Sequence, residues 1–246
     1  MTLLEILHPG CALFLDFDGT MVDIAPLPHA VHVPEPLIAT LRALHTQLHG
    51  AVAVISGRPI AQIDAFLTPL QLAVAGVHGA ERRTGSGELV LADTHPLDQV
   101  EQVARALAAK YPGLLVESKR GSLALHYRQA PELEELCLEA MQAAVDTSPG
   151  VTLLRGKMVA EAKPGGASKG LAIEAYLQEP PFAGRTPVFI GDDVTDEAGF
   201  STVQRLGGTG VKVGSGPTCA AHRLADPAAL RRELEATVAA SLMRTA

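Results

Sequence analysis

The chain has 246 residues, 47% hydrophobic and 19% charged. That balance excludes extended disorder and suits one large domain or a domain carrying a smaller insert. The formal net charge of −7 argues against a nucleic-acid partner, and any anion the chain binds must meet locally concentrated Lys, Arg or metal charge.

No apolar stretch approaches the roughly 18 residues of a membrane span. The opening MTLLEILHPG has no basic n-region and no apolar h-region. Cys11, Cys137 and Cys219 form no CxxC pair. A cytoplasmic monomer with buried, reduced thiols is expected. Trp is absent and aromatics reach only 4%, so the core must be built from Leu, Val, Ile and Ala.

In chain order, CALFL at 11–15 reads as a buried strand that stops at Asp16-Phe17-Asp18-Gly19-Thr20. A Pro-rich loop follows. Leu37, Leu41, Leu44 and Leu48 then recur at helical spacing, with Gly50 as the stop. AVAVI at 51–55 and LAVA at 72–75 are two more buried strands, ending at Ser56-Gly57-Arg58 and at Gly76-Val77-His78-Gly79. Strands that are apolar throughout, separated by helices, predict a parallel sheet covered on both faces, where ligands collect at the strands' carboxyl ends.

The middle of the chain changes style. A helix over 96–110, strand-like runs at 114–118 and 122–127, a helix from Leu133 to Ala144 and runs at 151–155 and 158–162 predict an antiparallel α+β insert. It is placed at 90–163, between core segments 1–89 and 164–246. Links are expected near Gly85–Gly87 and Pro164–Gly166. After Pro164 the first style resumes, with a helix over 169–178, strands at 187–190 and 209–213, and a helix from Pro227 to Leu242.

Asp16 and Asp18, two residues apart at a strand end, are costly without a compensating cation. Magnesium suits them, being hard and oxygen-seeking. Taken alone, the string also fits a surface turn or a weak calcium loop. Ser56 alone could cap a helix, Lys169 alone could be a solvated lysine, and Asp193 alone could be a helix-start carboxylate.

Together, DFDGT at 16–20, Ser56 in ISGR, Lys169 in SKG and GDDVTD at 191–196 resemble, in order, the motifs of the haloacid dehalogenase superfamily of phosphatases, over nearly the whole chain. The resemblance implies a Rossmann-like α/β core with a central parallel sheet and an inserted α+β cap. It implies that Asp16 attacks phosphorus to form an aspartyl-phosphate and that Asp18 serves as acid and then base. Ser56 and Lys169 would hold the phosphoryl oxygens. Mg2+ would be held by Asp16, the Asp18 carbonyl and Asp192, with Gly57, Arg58, Asp193 and Asp196 in support.

GVHGAERR at 76–83, LALHYRQAP at 123–131 and Glu161-Ala162-Lys163-Pro164 are similar to one branch, the trehalose-6-phosphate phosphatases. That likeness implies a small phosphorylated disaccharide as partner. Glu81, Glu117, Lys119, Arg128, Lys157 and Glu161 would read its hydroxyls. Edge-strand charge that deters aggregation is the alternative for Lys119 beside Arg120, and a structural role is the alternative for His78 and Glu81. The four core motifs would also serve a phosphatase for sucrose phosphate, mannosyl-3-phosphoglycerate or a hexose phosphate, a phosphomutase, or an inactive sugar-phosphate sensor.

Overall fold

The structure is a computed structural model that describes residues 2–91, 97–119, 121–165 and 168–244. Arg120 and Gly166 lie outside the described residues. Two compact units are present: Met1–Val90 with Lys169–Ala246, and Leu91–Ser168.

In the first unit, α1 (Leu3–Ile6) precedes β1 (Cys11–Leu15), α2 (Glu35–Gln47), β2 (Val52–Ile55), α3 (Ile60–Leu67), β3 (Ala73–Gly76) and β4 (Glu81–Arg83). β5 (Leu89–Leu91) reaches the boundary. The second unit holds α4 (Asp98–Lys110), β6 (Leu115–Lys119), β7 (Ser122–His126), α5 (Glu134–Asp146), β8 (Val151–Gly156) and β9 (Val159–Pro164). The chain returns to the first unit through α6 (Lys169–Tyr176), β10 (Thr186–Gly191), α7 (Glu197–Arg205), β11 (Thr209–Val213), β12 (His222–Leu224) and α8 (Pro227–Arg244). Among the described residues, no helix is long and apolar enough to cross a membrane.

The first sheet runs β12-β11-β10-β1-β2-β3-β4-β5. From β12 to β3 all neighbours are parallel. All five residues of β1 are buried. Cys11, Leu13 and Leu15 face one apolar cluster, with Leu37, Leu41 and Leu44 of α2 and Ile63 of α3. Ala12 and Phe14 face the other, with Ile173 and Tyr176 of α6 and Phe200 of α7. Burial on both faces is why these strands do not alternate in polarity.

The expected central parallel sheet is present, and one edge adds a strand the sequence reading did not include, where β4 pairs antiparallel with β3. Its sequence, Glu-Arg-Arg, hides the strand because tertiary partners satisfy the charges. Arg83 pairs with both oxygens of Asp64 at 2.6 and 2.7 Å, and Arg82 meets Glu179 at 2.6 Å. The expectation of three buried thiols also fails at one position. Cys11 and Cys137 are buried, but Cys219 is exposed, in the loop between β11 and β12, where its N–H donates to Glu197 Oε2 at 2.8 Å.

In the second unit, β6-β7-β9-β8 form an antiparallel sheet. Leu123, Leu125, Ala160 and Ala162 pack with Val100 and Ala104 of α4 and Cys137 and Met141 of α5. The intervening residues of these strands occupy the opposite face, as the two-residue repeat of a strand requires.

Candidate active site

The chain builds β1, β2 and β3 outward in one direction and β10, β11 and β12 in the other. This reversal makes β1 and β10 neighbours, with Leu15 paired to Ile190. Asp16 and Asp192 follow these strands directly, so topology brings together residues far apart in sequence. Crevices at such reversals, beyond the carboxyl ends of the strands, are where α/β sheets bind ligands.

Asp16 is 4% exposed, Asp192 7% and Asp196 0%. Each offers a carboxylate oxygen within 4.8 Å of the others. Lys169, at the start of α6, donates to Asp16 Oδ1 and to Asp196 Oδ1, both at 2.6 Å. The Thr20 hydroxyl lies 2.9 Å from Asp16 Oδ2 and 3.3 Å from Asp192 Oδ1. Asp196 Oδ2 accepts the main-chain N–H groups of Asp192 and Asp193 at 2.9 and 2.8 Å. Asp196 is thereby a brace that holds both Lys169 and the loop carrying Asp192. Asp193 takes the N-cap position of the turn Val194–Asp196.

Burial raises the Asp16 carboxyl well above the ordinary value of 3.8, and Asp196 and Asp192 raise it further against the pull of Lys169. Burial by itself would lower Lys169, but Asp16 and Asp196 outweigh it and hold the ammonium above the usual lysine range. The lysine is therefore charged, and the three carboxylates outnumber it. A compact all-oxygen donor set with surplus negative charge is the chemistry that suits a hard divalent cation.

Gly19 makes this approach possible. Its φ is +79°, and a Cβ there would fall 2.3 Å from Asp192 Oδ2. Gly19→Ala is expected to displace the Asp192 carboxylate and lower phosphate release about 100-fold, the scale of an ångström-sized misplacement. Steady-state phosphate assays on the folded variant check this.

Asp18, expected among carboxylates, lies instead against a guanidinium. Arg58 Nε and Nη2 bind its two oxygens at 2.6 and 2.7 Å. The Arg58 guanidinium stands 5.1 Å from the Phe66 ring centre and 5.9 Å from that of Phe17, and Nη1 reaches Gln62 at 3.2 Å. The Asp18 side chain is thus outside the acidic cluster.

Ser56 follows β2 directly and is 1% exposed. Its hydroxyl accepts the Arg58 N–H at 3.1 Å, and its carbonyl accepts the His78 N–H at 2.9 Å. A Cβ on Gly57 would strike His78 Nε2 at 2.7 Å. Val77 and His78 both hold positive φ, 47° and 55°, which for a β-branched Val marks strained backbone beside the site. Glu81 Oε1 accepts the Ile60 N–H at 2.5 Å, placing that carboxylate at the first turn of α3.

Lys212 was not anticipated. It is 4% exposed on β11, and Nζ donates to the Asp192 carbonyl at 2.5 Å. A lone lysine in the apolar run Thr209–Val213 was the available signal, because lysine is rarely buried without a partner. Thr20 lay inside the recognised motif, yet its bridge between two carboxylates depends on the β1–β10 pairing.

In the second unit, Glu117 lies on β6 and Glu161 on β9, and Ala124 of β7 is the register partner of both. Lys119 ends β6 opposite Ser122. Arg128 Nη2 donates to the Lys157 carbonyl at 3.4 Å.

Residues 14–231 match the family described as trehalose-phosphatase. The chain is 46% identical over 221 residues to the trehalose-6-phosphate phosphatase of Escherichia coli, covering 87% of this chain and 81% of that one. The C-terminal domain of the C. albicans trehalose-6-phosphate phosphatase superposes with a TM-score of 0.86 at 23% identity, covering 94% and 93% of the two chains. A haloacid dehalogenase-like hydrolase from B. subtilis superposes with a TM-score of 0.67 at 14% identity, covering 91% and 99%. The fold is that of the haloacid dehalogenase-like hydrolases, and the chain belongs to the trehalose-phosphatase family.

Proposed function

We propose that the chain hydrolyses trehalose 6-phosphate to trehalose and inorganic phosphate, as a monomeric cytoplasmic enzyme that uses Mg2+. The observation that carries this reading is the buried Asp16 held by Lys169 and Thr20 at the β1–β10 reversal, in a chain of this family.

Asp16 attacks the phosphorus. A bond forms from its carboxylate oxygen while the bond from phosphorus to the sugar's O6 breaks, and Asp18 supplies a proton to that oxygen. Water then attacks the aspartyl-phosphate. Its proton passes to Asp18, the bond from phosphorus to Asp16 breaks, and the carboxylate is regenerated. For this step Asp18 must turn from its pairing with Arg58. Ser56 and Lys169 hold the phosphoryl oxygens, with Gly57 and Arg58 shaping the loop. Asp16, Asp192 and the Asp18 carbonyl would hold Mg2+, with Asp193 and Asp196 bracing them. The bound ion would supply positive charge to the transferring phosphoryl group. On the second unit, Glu117, Lys119 and Glu161 read sugar hydroxyls, joined by Arg128 and Lys157. Glu81, on the first unit, would be a further acceptor for a sugar hydroxyl.

The test is phosphate release with Mg2+ from trehalose 6-phosphate, sucrose 6-phosphate, glucose 6-phosphate and mannosyl-3-phosphoglycerate. The expected result is strong preference for the first and loss of rate on chelation with EDTA. Preference for another member would move the specificity, and no turnover of any would favour a sensor.

A further inference from the structure

Strand β7 sits between β6 and β9, and its residues alternate strictly. Leu123 and Leu125 enter the apolar cluster against α4 and α5. Ser122, Ala124 and His126 therefore occupy the opposite face. β6 alternates in step: the Ser118 hydroxyl reaches Glu101 of α4 at 3.0 Å on the helix side, so Glu117 faces the other way.

On that polar face the two glutamates flank Ala124, one on each neighbouring strand. Each is tied diagonally to a different β7 residue. His126 Nε2 lies 3.0 Å from Glu117 Oε2, and the Ser122 hydroxyl donates to Glu161 Oε1 at 2.7 Å. An ionised carboxylate only accepts, so Nε2 carries the shared proton. His126 and Glu117 side chains are 25% and 24% exposed, while Ser122 is 1% and Glu161 5% exposed. Neither pairing is needed to fill the apolar core, which lies on the other side of the strand. The small Ala124 leaves the two acceptors separated by β7, with each strand spacing about 4.8 Å.

We infer that His126 and Ser122 are positioning residues, which preset Glu117 and Glu161 as a divided pair of acceptors for sugar hydroxyls. The inference rests on the proposed sugar-reading role of those glutamates. Locking a rotamer-rich glutamate before binding lowers the ordering cost of association, and the loss of one lock corresponds to about a three- to tenfold rise in KM.

The experiment is a double-mutant cycle on trehalose 6-phosphate kinetics, because coupling between two side chains appears as non-additivity. His126→Leu keeps bulk but removes the donor. It is expected to raise KM about fivefold with kcat little changed. His126→Gln retains a donor and is expected to restore most of the affinity. In a Glu117→Ala background, His126→Leu is expected to add nothing further to KM. Ser122→Ala with Glu161→Ala forms a second, independent cycle, which keeps the test decisive should one variant fold poorly.

An unchanged KM in His126→Leu and Ser122→Ala would overturn the inference. So would an equal rise in the glutamate-free backgrounds, since the residues would then act on their own. If Glu117→Ala and Glu161→Ala themselves leave KM unaltered, the sugar-reading assignment falls and the inference with it. That outcome is distinguishable because it appears in the single glutamate variants.

Discussion

Asp16→Asn is expected to release no measurable phosphate, a fall of at least about 10⁴-fold, because an amide cannot replace the carboxylate as phosphoryl acceptor. The same variant is expected to melt higher than the native chain in metal-free buffer at neutral pH. Two effects compete. Lys169 at 2.6 Å favours the charged Asp16, whereas burial and the neighbouring Asp192 and Asp196 oppose it. The opposition is the larger, since the Asp16 carboxyl is raised well above 3.8.

Linkage fixes the sign. A carboxyl raised in the folded state binds more protons there than when unfolded, so stability falls as pH rises above the unfolded value and through the folded one. Asparagine removes that loss, and Lys169 keeps Asp196 as partner. A rise of at least about 2 °C is expected, the shift that 1 kcal/mol produces in a chain of this size. Mg2+ is expected to raise the native melting point more than that of the variant. Thermal melts of both proteins, with EDTA and with Mg2+ at several pH values, check this. A lower metal-free melting point for the variant would show that the lysine attraction prevails.

Lys169→Met should do the reverse. Methionine fills similar volume but leaves Asp16 and Asp196 buried against each other without the ammonium that bridges them at 2.6 Å on each side. Removing one partner from a buried charged network costs about 3–5 kcal/mol. A melting point lowered by about 10 °C is therefore expected. Phosphate release should fall about 10³-fold, the scale for losing an electrostatic contact to the reacting group.

The pH dependence again follows from the direction of the shift. The folded Lys169 is raised above its unfolded value of 10.5, so its stabilisation is fully present below that value and disappears only as pH climbs through the folded one. The deficit of the methionine variant should thus persist across the neutral range. A melting point within about 2 °C of native would remove Lys169 from the structural account.

Strands that are buried on both faces announce themselves in a sequence: β1, β2, β3 and β10 were legible as apolar runs ending in polar motifs, and β11 was placed as a strand at 209–213. The α+β character of the middle was legible too, because its helices and hairpins switch period cleanly. DFDGT and GDDVTD stood out because closely spaced carboxylates at strand ends need a cation, and their order with Ser56 and Lys169 carried the family resemblance that implied the chemistry. Local sequence therefore determined the elements, and the resemblance carried by the four ordered motifs implied the reaction class.

Tertiary structure decided the pairings. Glu-Arg-Arg became an edge strand because Asp64 and Glu179 meet its arginines. Asp18 met Arg58 rather than the carboxylates, and Asp196 became the brace of Lys169. Lys212 joined the Asp192 carbonyl, and β7 supplied a diagonal partner for each glutamate. None of these follows from local pattern. Charge pairing and hydrogen bonding act across a few ångströms of space, and only the strand order, with β1 beside β10 and β7 between β6 and β9, brings those groups within reach.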